Sequence, residues 1–338
     1  MSSEISSHPY DALTPDRVMT ALEALGYCCD ARIYPLNSYE NRVYQVGIEG
    51  AETVVVKFYR PGRWSDAQIL EEHQFALELQ ELEVPVAAPL DFEGRGTLLD
   101  DGLFRFAVFP RLAGRAPELD EMDSLLTIGR YLGRVHLIGA KTPFLTRERL
   151  SVEEMAVQPR QFLLENDFIP PELRAAYESV SRDLIDRIQA DFSFADSVRF
   201  FRIHGDCHLG NVLWHQGTPF FVDFDDAVMG PAIQDLWMLL SGERDQRQRQ
   251  LQELLEGYTE FCDFAPAELK YIEVLRTLRL IRYAGWLARR WEDPAFPRSF
   301  PWFNSVRYWS DHVLELREQQ AALDEPPLQL FNFGGPGY

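Results

Sequence analysis

Cationic residues are scarce in this chain. Its 338 residues hold 33 lysines and arginines against 53 aspartates and glutamates, a formal charge of −20. A nucleic-acid binder needs a basic footprint, so the charge argues against that class. An anionic membrane surface is disfavoured for the same reason. Cysteine is scarce too. Cys28, Cys29, Cys207 and Cys262 contain no C-x-x-C pair, and so few in so long a chain do not suggest a disulfide framework. No apolar run approaches the roughly 20 residues of a membrane span. The opening Met1-Ser2-Ser3-Glu4-Ile5 has neither a basic n-region nor an apolar h-region. These absences make a reducing, cytoplasmic setting the expectation, with no membrane partner and no nucleic acid.

What is present is enough chain for two lobes, each with a core. Thr14-Pro15 reads as a capped helix start and Gly26 as its stop. Strand patterns follow at 31–36, 43–48 and 53–59, then a long helix opens at Ser65-Asp66 and runs to about Leu82. Two more strands are expected around Gly94-Arg95-Gly96, a hairpin at Asp100-Asp101-Gly102, and a last strand at 105–110. Leu112–Arg115 reads as a linker with Gly114 as its hinge. Beyond it, helices are expected at 121–139, 153–166, 171–191, 234–241, 245–262, 266–291 and 300–322. Strands are expected only at 199–203, 212–214 and 220–224. The tail from Asp324 to Gly337 reads as irregular. The fold class is therefore α+β with two lobes: residues 1–112 a small antiparallel sheet with one long helix, residues 113–338 larger and mainly helical.

The chemistry gathers at His204-Gly205-Asp206-Cys207-His208-Leu209-Gly210-Asn211, an H-x-D-x-x-x-x-N spacing. Twelve residues on, Val222-Asp223-Phe224-Asp225 delivers a second carboxylate. Phosphoryl transfer from ATP needs a base for the acceptor hydroxyl and ligands for Mg²⁺ on the phosphates. Asp206 is placed to be that base. Asn211 and Asp223 offer the hard oxygen ligands that Mg²⁺ takes. The competing reading is that all three cap local turns, as Asp and Asn often do. A zinc hydrolase built on His204, Asp206, Cys207 and His208 is a weaker alternative, since it leaves Lys57 and Asn211 without a role.

Lys57 interrupts the apolar strand Thr53–Tyr59. Burying a lysine there requires a partner. Glu71 and Glu72 both lie on the next helix; Glu72 shares a face with Phe75 and Leu79 and is the expected partner. Otherwise Lys57 is a solvent-facing lysine on an edge strand. His204 reads as a brace for the loop rather than a participant. Asp235 either anchors that loop or is an ordinary first-turn helix acid. Ser38 sits where a phosphate-covering loop belongs, although the segment Ser38–Arg42 has no glycine. The strand at 105–110 is the expected hinge, with Phe106, Val108 and Phe109 as walls for adenine. Trp286, Trp291, Trp302 and Trp309 are either a cage for a cationic substrate or, more commonly, core. Cys207 is either a redox-sensitive thiol or a small packing residue.

Together these runs resemble the aminoglycoside phosphotransferase and choline kinase superfamily, whose fold is protein-kinase-like. The runs at 36–44, 56–61, 71–73, 204–208 and 222–226 are similar, more narrowly, to the RdoA-like bacterial Ser/Thr stress response kinases. The resemblance implies ATP- and Mg²⁺-dependent phosphorylation of Ser/Thr hydroxyls on a protein substrate by a cytoplasmic monomer, in stress response and protection from cell death. By position it implies Asp206 as proton acceptor, Asn211 and Asp223 as Mg²⁺ ligands and Ser38 near the ATP phosphates. Asp225 stands where a protein kinase has glycine, and no A-P-E segment follows. A small-molecule kinase acting on a cationic metabolite or antibiotic shares every one of these residues and is the alternative.

Overall fold

The computed structural model describes residues 8–118, 122–191 and 198–330. The opening pentapeptide, Glu121 and the end of the expected tail lie outside the described residues. The chain divides into two compact units, one of Met1–Glu118, Phe144–Arg147 and Leu209–Ala227, the other of Leu119–Pro143, Glu148–His208 and Val228–Tyr338.

The first unit is built on β1 (Cys29–Pro35), β2 (Arg42–Ile48), β3 (Val54–Phe58), β4 (Leu99–Asp100) and β5 (Arg105–Pro110), in the order β1-β2-β3-β5-β4, all neighbours antiparallel. Side chains alternate along a strand. Val54, Val56 and Phe58 therefore share one face with Phe106 and Val108, where they meet Val18 and Leu22 of helix α1 (Pro15–Glu23). The opposite face carries Lys57, Tyr59 and Ala107, the last two packed with Ile69 of helix α2 (Asp66–Glu81). Helix α2 begins where expected because Ser65 caps it. The Ser65 hydroxyl accepts from Gln68 N–H at 3.3 Å, and the Gln68 side chain accepts from Ser65 N–H at 3.0 Å.

Two expectations fail here. Of the two strands expected around Gly94–Gly96, the first reduces to a single bridge, Phe92 to Gly96, as both glycines turn through left-handed backbone (φ 75° and 76°), and the second shortens to the two residues of β4. Gly114 is not a hinge. A Cβ there would lie 2.9 Å from Cβ of Leu213, and the next residue, Arg115, bridges Trp214. The glycine serves close packing against the hairpin β7 (Val212–His215) and β8 (Thr218–Phe221).

The second unit is mainly helical. Its most extensive packing joins α3 (Met122–Gly139) and α7 (Arg244–Tyr258). Those backbones approach closely at glycine: a Cβ on Gly129 would sit 2.0 Å from Leu254 O, and one on Gly257 2.0 Å from Leu126 O. Between them in the chain come α4 (Gln158–Glu165), α5 (Pro171–Asp191), β6 (Phe201–Ile203), β9 (Val228–Gly230) and α6 (Ala232–Trp237); β6 and β9 pair antiparallel. Helices α8 (Ile272–Arg289), α9 (Ala295–Ser299) and α10 (Val306–Ala322) complete it. The expected helix 300–322 starts later because the Ser305 hydroxyl caps α10, accepting from Tyr308 N–H at 3.1 Å. No helix among the described residues is long and apolar enough to cross a membrane.

Candidate active site

Strand β3 aims Lys57 away from the apolar face, into a cluster of carboxylates in the same unit. Its Nζ lies 3.5 Å from Glu72 Oε1, 3.1 Å from Asp223 Oδ1 and 3.0 Å from Asp225 Oδ1. The edge-strand reading of Lys57 is therefore wrong; the residue is 5% exposed. Burial alone would lower its pKa, but Asp223, Asp225 and Glu72 together hold it well above the ordinary value. Glu72 is the partner, as its helical spacing indicated. Glu71 faces elsewhere and accepts from Leu145, Thr146 and Arg147 N–H at 2.6, 3.0 and 2.9 Å.

Three arginines extend the cluster. Arg63 contacts Asp225 and reaches Asp226 at 2.9 Å. Arg147 donates to the carbonyls of Gln68 (2.8 Å), Asp225 (2.9 Å) and Ala227 (2.7 Å) and to Glu72 (3.1 Å). Arg60 donates to Glu40 O (2.8 Å) and Tyr39 O (3.2 Å), while its own N–H donates to Asn41 Oδ1 (3.1 Å). Buried Asp225 would favour its neutral form, yet Arg63, then Lys57 and Arg147, hold its carboxyl well below the usual range. Burial has the upper hand at Glu72, whose pKa is raised despite Lys57 and Arg147. Behind Lys57, His73 bridges Tyr59 OH (2.7 Å) and Thr97 Oγ1 (2.8 Å). Burial, then the charges of Lys57 and Arg147, push its pKa down to about 3, so it is neutral.

Asp223 differs from its neighbours. Its side chain is 50% exposed, whereas those of Glu72 and Asp225 are each 4% exposed. Its backbone is left-handed (φ 61°), a strained state for a non-glycine residue. The hairpin explains where Asn211 falls. Val212 pairs with Phe221, and one step beyond, Val222 N–H donates to Asn211 O at 3.0 Å. Asn211 and Asp223 thus stand at the same end of β7 and β8. Oxygen donors of this kind, one anionic and outward-facing, fit Mg²⁺. Ser38 is half-buried between β1 and β2, in a segment pinned by Arg60 rather than freed by glycine. Phe109 lies half-buried on β5, edge-on to His73 at 6.4 Å between ring centres.

The chain passes from one unit to the other inside the H-x-D-x-x-x-x-N motif, so Asp206 belongs to the helical unit. There the motif's first half is clasped by Asp235. Its Oδ2 accepts from His204 N–H and its Oδ1 from Gly205 N–H, each at 2.8 Å. The same carboxylate meets His136 Nε2 at 3.0 Å, and His136 Nδ1 meets Tyr258 OH at 2.9 Å. His204 is fully buried, and its Nδ1 accepts from Asp206 N–H at 3.3 Å. Gly205 has φ 83°, which a side chain would strain. His204 and Asp235 are braces. Asp206 itself contacts Arg279 Nη1 at 2.6 Å and His208 Nε2 at 3.5 Å. Burial pushes the Cys207 thiol well up, which fits a packing residue rather than a reactive one. Of the aromatics, Trp309, Phe303 and Phe296 are core.

Arg63, Arg147 and Arg279 escaped the sequence reading. Each has partners more than 70 positions away, and no local spacing marks them.

The fold is the α+β, protein-kinase-like fold of a phosphotransferase. A model of the phosphotransferase enzyme family matches residues 32–272, and the chain belongs to that family. Stress response kinase A of Escherichia coli O157:H7 is 48% identical over 325 residues, covering 96% of this chain and 98% of its own. Serine/threonine protein kinase RdoA of Salmonella typhimurium is 47% identical, covering 95% and 97%. Among solved structures, an amicoumacin kinase in complex with AMP-PNP, Ca²⁺ and Ami superposes with a TM-score of 0.69 at 21% identity, covering 96% and 97%. A microcompartment-associated aminopropanol kinase gives 0.67 at 19%, covering 93% and 100%.

Proposed function

We propose that this phosphotransferase is an ATP-dependent protein Ser/Thr kinase. Asp206 takes the proton of the acceptor hydroxyl as its oxygen bonds to the γ-phosphorus. The bond from that phosphorus to the bridging oxygen breaks, and ADP leaves with the electron pair. Asn211 and Asp223 would hold Mg²⁺, which when bound would neutralise charge on the phosphates. Lys57, kept in place by Glu72, contacts the phosphates; Ser38 lies near them, and Phe109 walls the adenine. The observation that carries the reading is the buried Lys57–Glu72 pair within reach of Asp223. The 47% likeness to a protein named as a serine/threonine kinase supports a protein acceptor.

The fold neighbours named for amicoumacin and aminopropanol favour a second reading, phosphorylation of a small hydroxyl compound. Labelling a cell lysate with ATP separates the two. Wild type should transfer phosphate to serine and threonine of proteins, and Asp206→Asn should cut transfer by roughly 10²–10⁴-fold. Saturable ADP release with metabolites and no protein labelling would select the second reading. Undiminished turnover in the variant would remove Asp206 from its role.

A further inference from the structure

The whole chain is acidic, but one helix beside Asp206 is not. After Glu273 in its first turn, α8 carries Arg276, Arg279, Arg282 and Arg289 with no acid among them, and Arg290 caps it. At 100° per residue, Arg279, Arg282, Trp286 and Arg289 fall on one stripe. Another side of α8 is buried: Val274, Leu275, Leu278, Ile281, Ala284 and Leu287 are core. Its accessible face is therefore cationic and aromatic. Arg282 and Arg289 are exposed, and Tyr283 is 39% exposed beside Trp286, with ring centres 5.7 Å apart.

Resting on the protein-kinase reading, we infer that this face of α8 selects acceptor segments carrying Asp, Glu or phosphorylated residues near the Ser/Thr hydroxyl. Arg279 ties the stripe to the chemistry, since its Nη1 is 2.6 Å from Asp206. The stripe from Arg279 to Arg289 runs about 15 Å at 1.5 Å per residue. An extended peptide covers that length in about four to five residues. Planar guanidinium groups suit carboxylate and phosphate recognition.

Local charge supports the assignment. Glu273 is shared by two arginines, Arg247 at 3.0 Å and Arg276 at 3.6 Å. Burial, then the neighbouring charge of Arg247, lowers the pKa of Arg276 despite Glu273. Burial also lowers that of Arg289; Glu154 opposes this, while Arg290 and Arg282 add to it. Cations crowded in this way gain from an incoming anion. The global charge of −20 suggests a cationic acceptor; the surface nearest the proposed base argues the reverse.

The test offers the full chain, with ATP and Mg²⁺, a library of serine and threonine peptides differing only in flanking charge. Acidic flanks should raise kcat/KM by at least about tenfold over neutral ones, mostly through KM, and the advantage should shrink as salt rises. The double variant Arg282→Glu with Arg289→Glu, both exposed positions, should turn the preference towards basic flanks. A wild-type preference for neutral or basic flanks overturns the inference and leaves the kinase reading intact. An acidic preference unchanged in the folded double variant does the same. If that variant does not fold, the wild-type preference and its salt dependence decide. Phosphate found only on small hydroxyl compounds would instead overturn the protein-kinase reading itself.

Discussion

The Lys57 cluster and the Asp235 clasp are both buried polar networks, but they are made differently. Around Lys57, formal charges meet formal charges: Lys57, Arg60, Arg63 and Arg147 stand against Glu40, Glu72, Asp223, Asp225 and Asp226. Around Asp235, a single carboxylate is satisfied by backbone N–H groups and a histidine. The first arrangement can exchange partners, because Asp223 is half-exposed and, on the proposed function, gives way at Lys57 to a phosphate. The second cannot, because every group it holds is fixed backbone or fully buried ring. A network that must admit a polyanion is built from charge; one that must hold a loop still is built from directional hydrogen bonds.

The most damaging way to probe this contrast is Asp235→Ala. Two backbone N–H groups and His136 would lose their acceptor at once, and each buried unsatisfied group costs about 1–3 kcal/mol. Stability should fall by roughly 4 kcal/mol or more, read as a lower urea midpoint with an unchanged slope. A variant of wild-type stability would show that the clasp is no clasp. Lys57→Met comes next. Losing a fixed donor to the phosphates should lower kcat/KM by about 10²–10³-fold, equivalent to roughly 3–4 kcal/mol. Arg63 and Arg147 remain to compensate Asp225 and Glu72, so unfolding should shift less than in Asp235→Ala. Equal destabilisation by the two substitutions would erase the distinction between them.

How much of this could be read beforehand follows from where each partner lies. Lys57 stands out because a charged residue interrupts an apolar strand. Glu72 was chosen over Glu71 because helical spacing puts it with Phe75 and Leu79, and all three are buried. Asp235 stays ambiguous in the sequence, loop anchor or ordinary first-turn acid, and only folding shows its carboxylate on the His204 and Gly205 N–H groups. Arg147, Arg63 and Arg279 gave no such signal. An arginine in a loop or on a helix face is ordinary until folding brings a carbonyl or carboxylate to it. At Gly94–Gly96 the turn was legible but the length of its flanking strands was not: they shrink to one bridge, Phe92 to Gly96, and to the two residues of β4. Gly114 was misread because flexibility and close packing select the same residue.

A pH experiment tests the support beneath the clasp. Glu268 Oε2 accepts from Ile233 N–H at 3.0 Å in the first turn of α6, the helix carrying Asp235. Burial pushes its carboxyl up to about 7, against the opposing effect of backbone hydrogen bonds. A raised acid binds its proton more tightly folded than unfolded. Its stabilising contribution is therefore complete below about pH 4.5 and is lost as pH rises through about 7. The loss amounts to at most about 3–4 kcal/mol at 1.4 kcal/mol per unit. Glu268→Gln should flatten the stability profile across that window; an unaltered slope would mean that Glu268 is already ionised in the folded chain.

The smallest effect should come from Ser65→Ala, which removes only the cap of α2. The cost should be about 1 kcal/mol, a fall in Tm of about 2 °C for a chain of this size. Its value lies in what it does to activity. Helix α2 carries Glu72, but Arg147 also holds that helix through Gln68 O and Glu72 itself. If the charged cluster is self-supporting, the lost cap should leave KM for ATP within about twofold of wild type, a change worth under 0.5 kcal/mol. A tenfold rise in that KM would mean that Lys57 depends on the helix start for its position, and that the cluster around it is less independent than its ion pairs suggest.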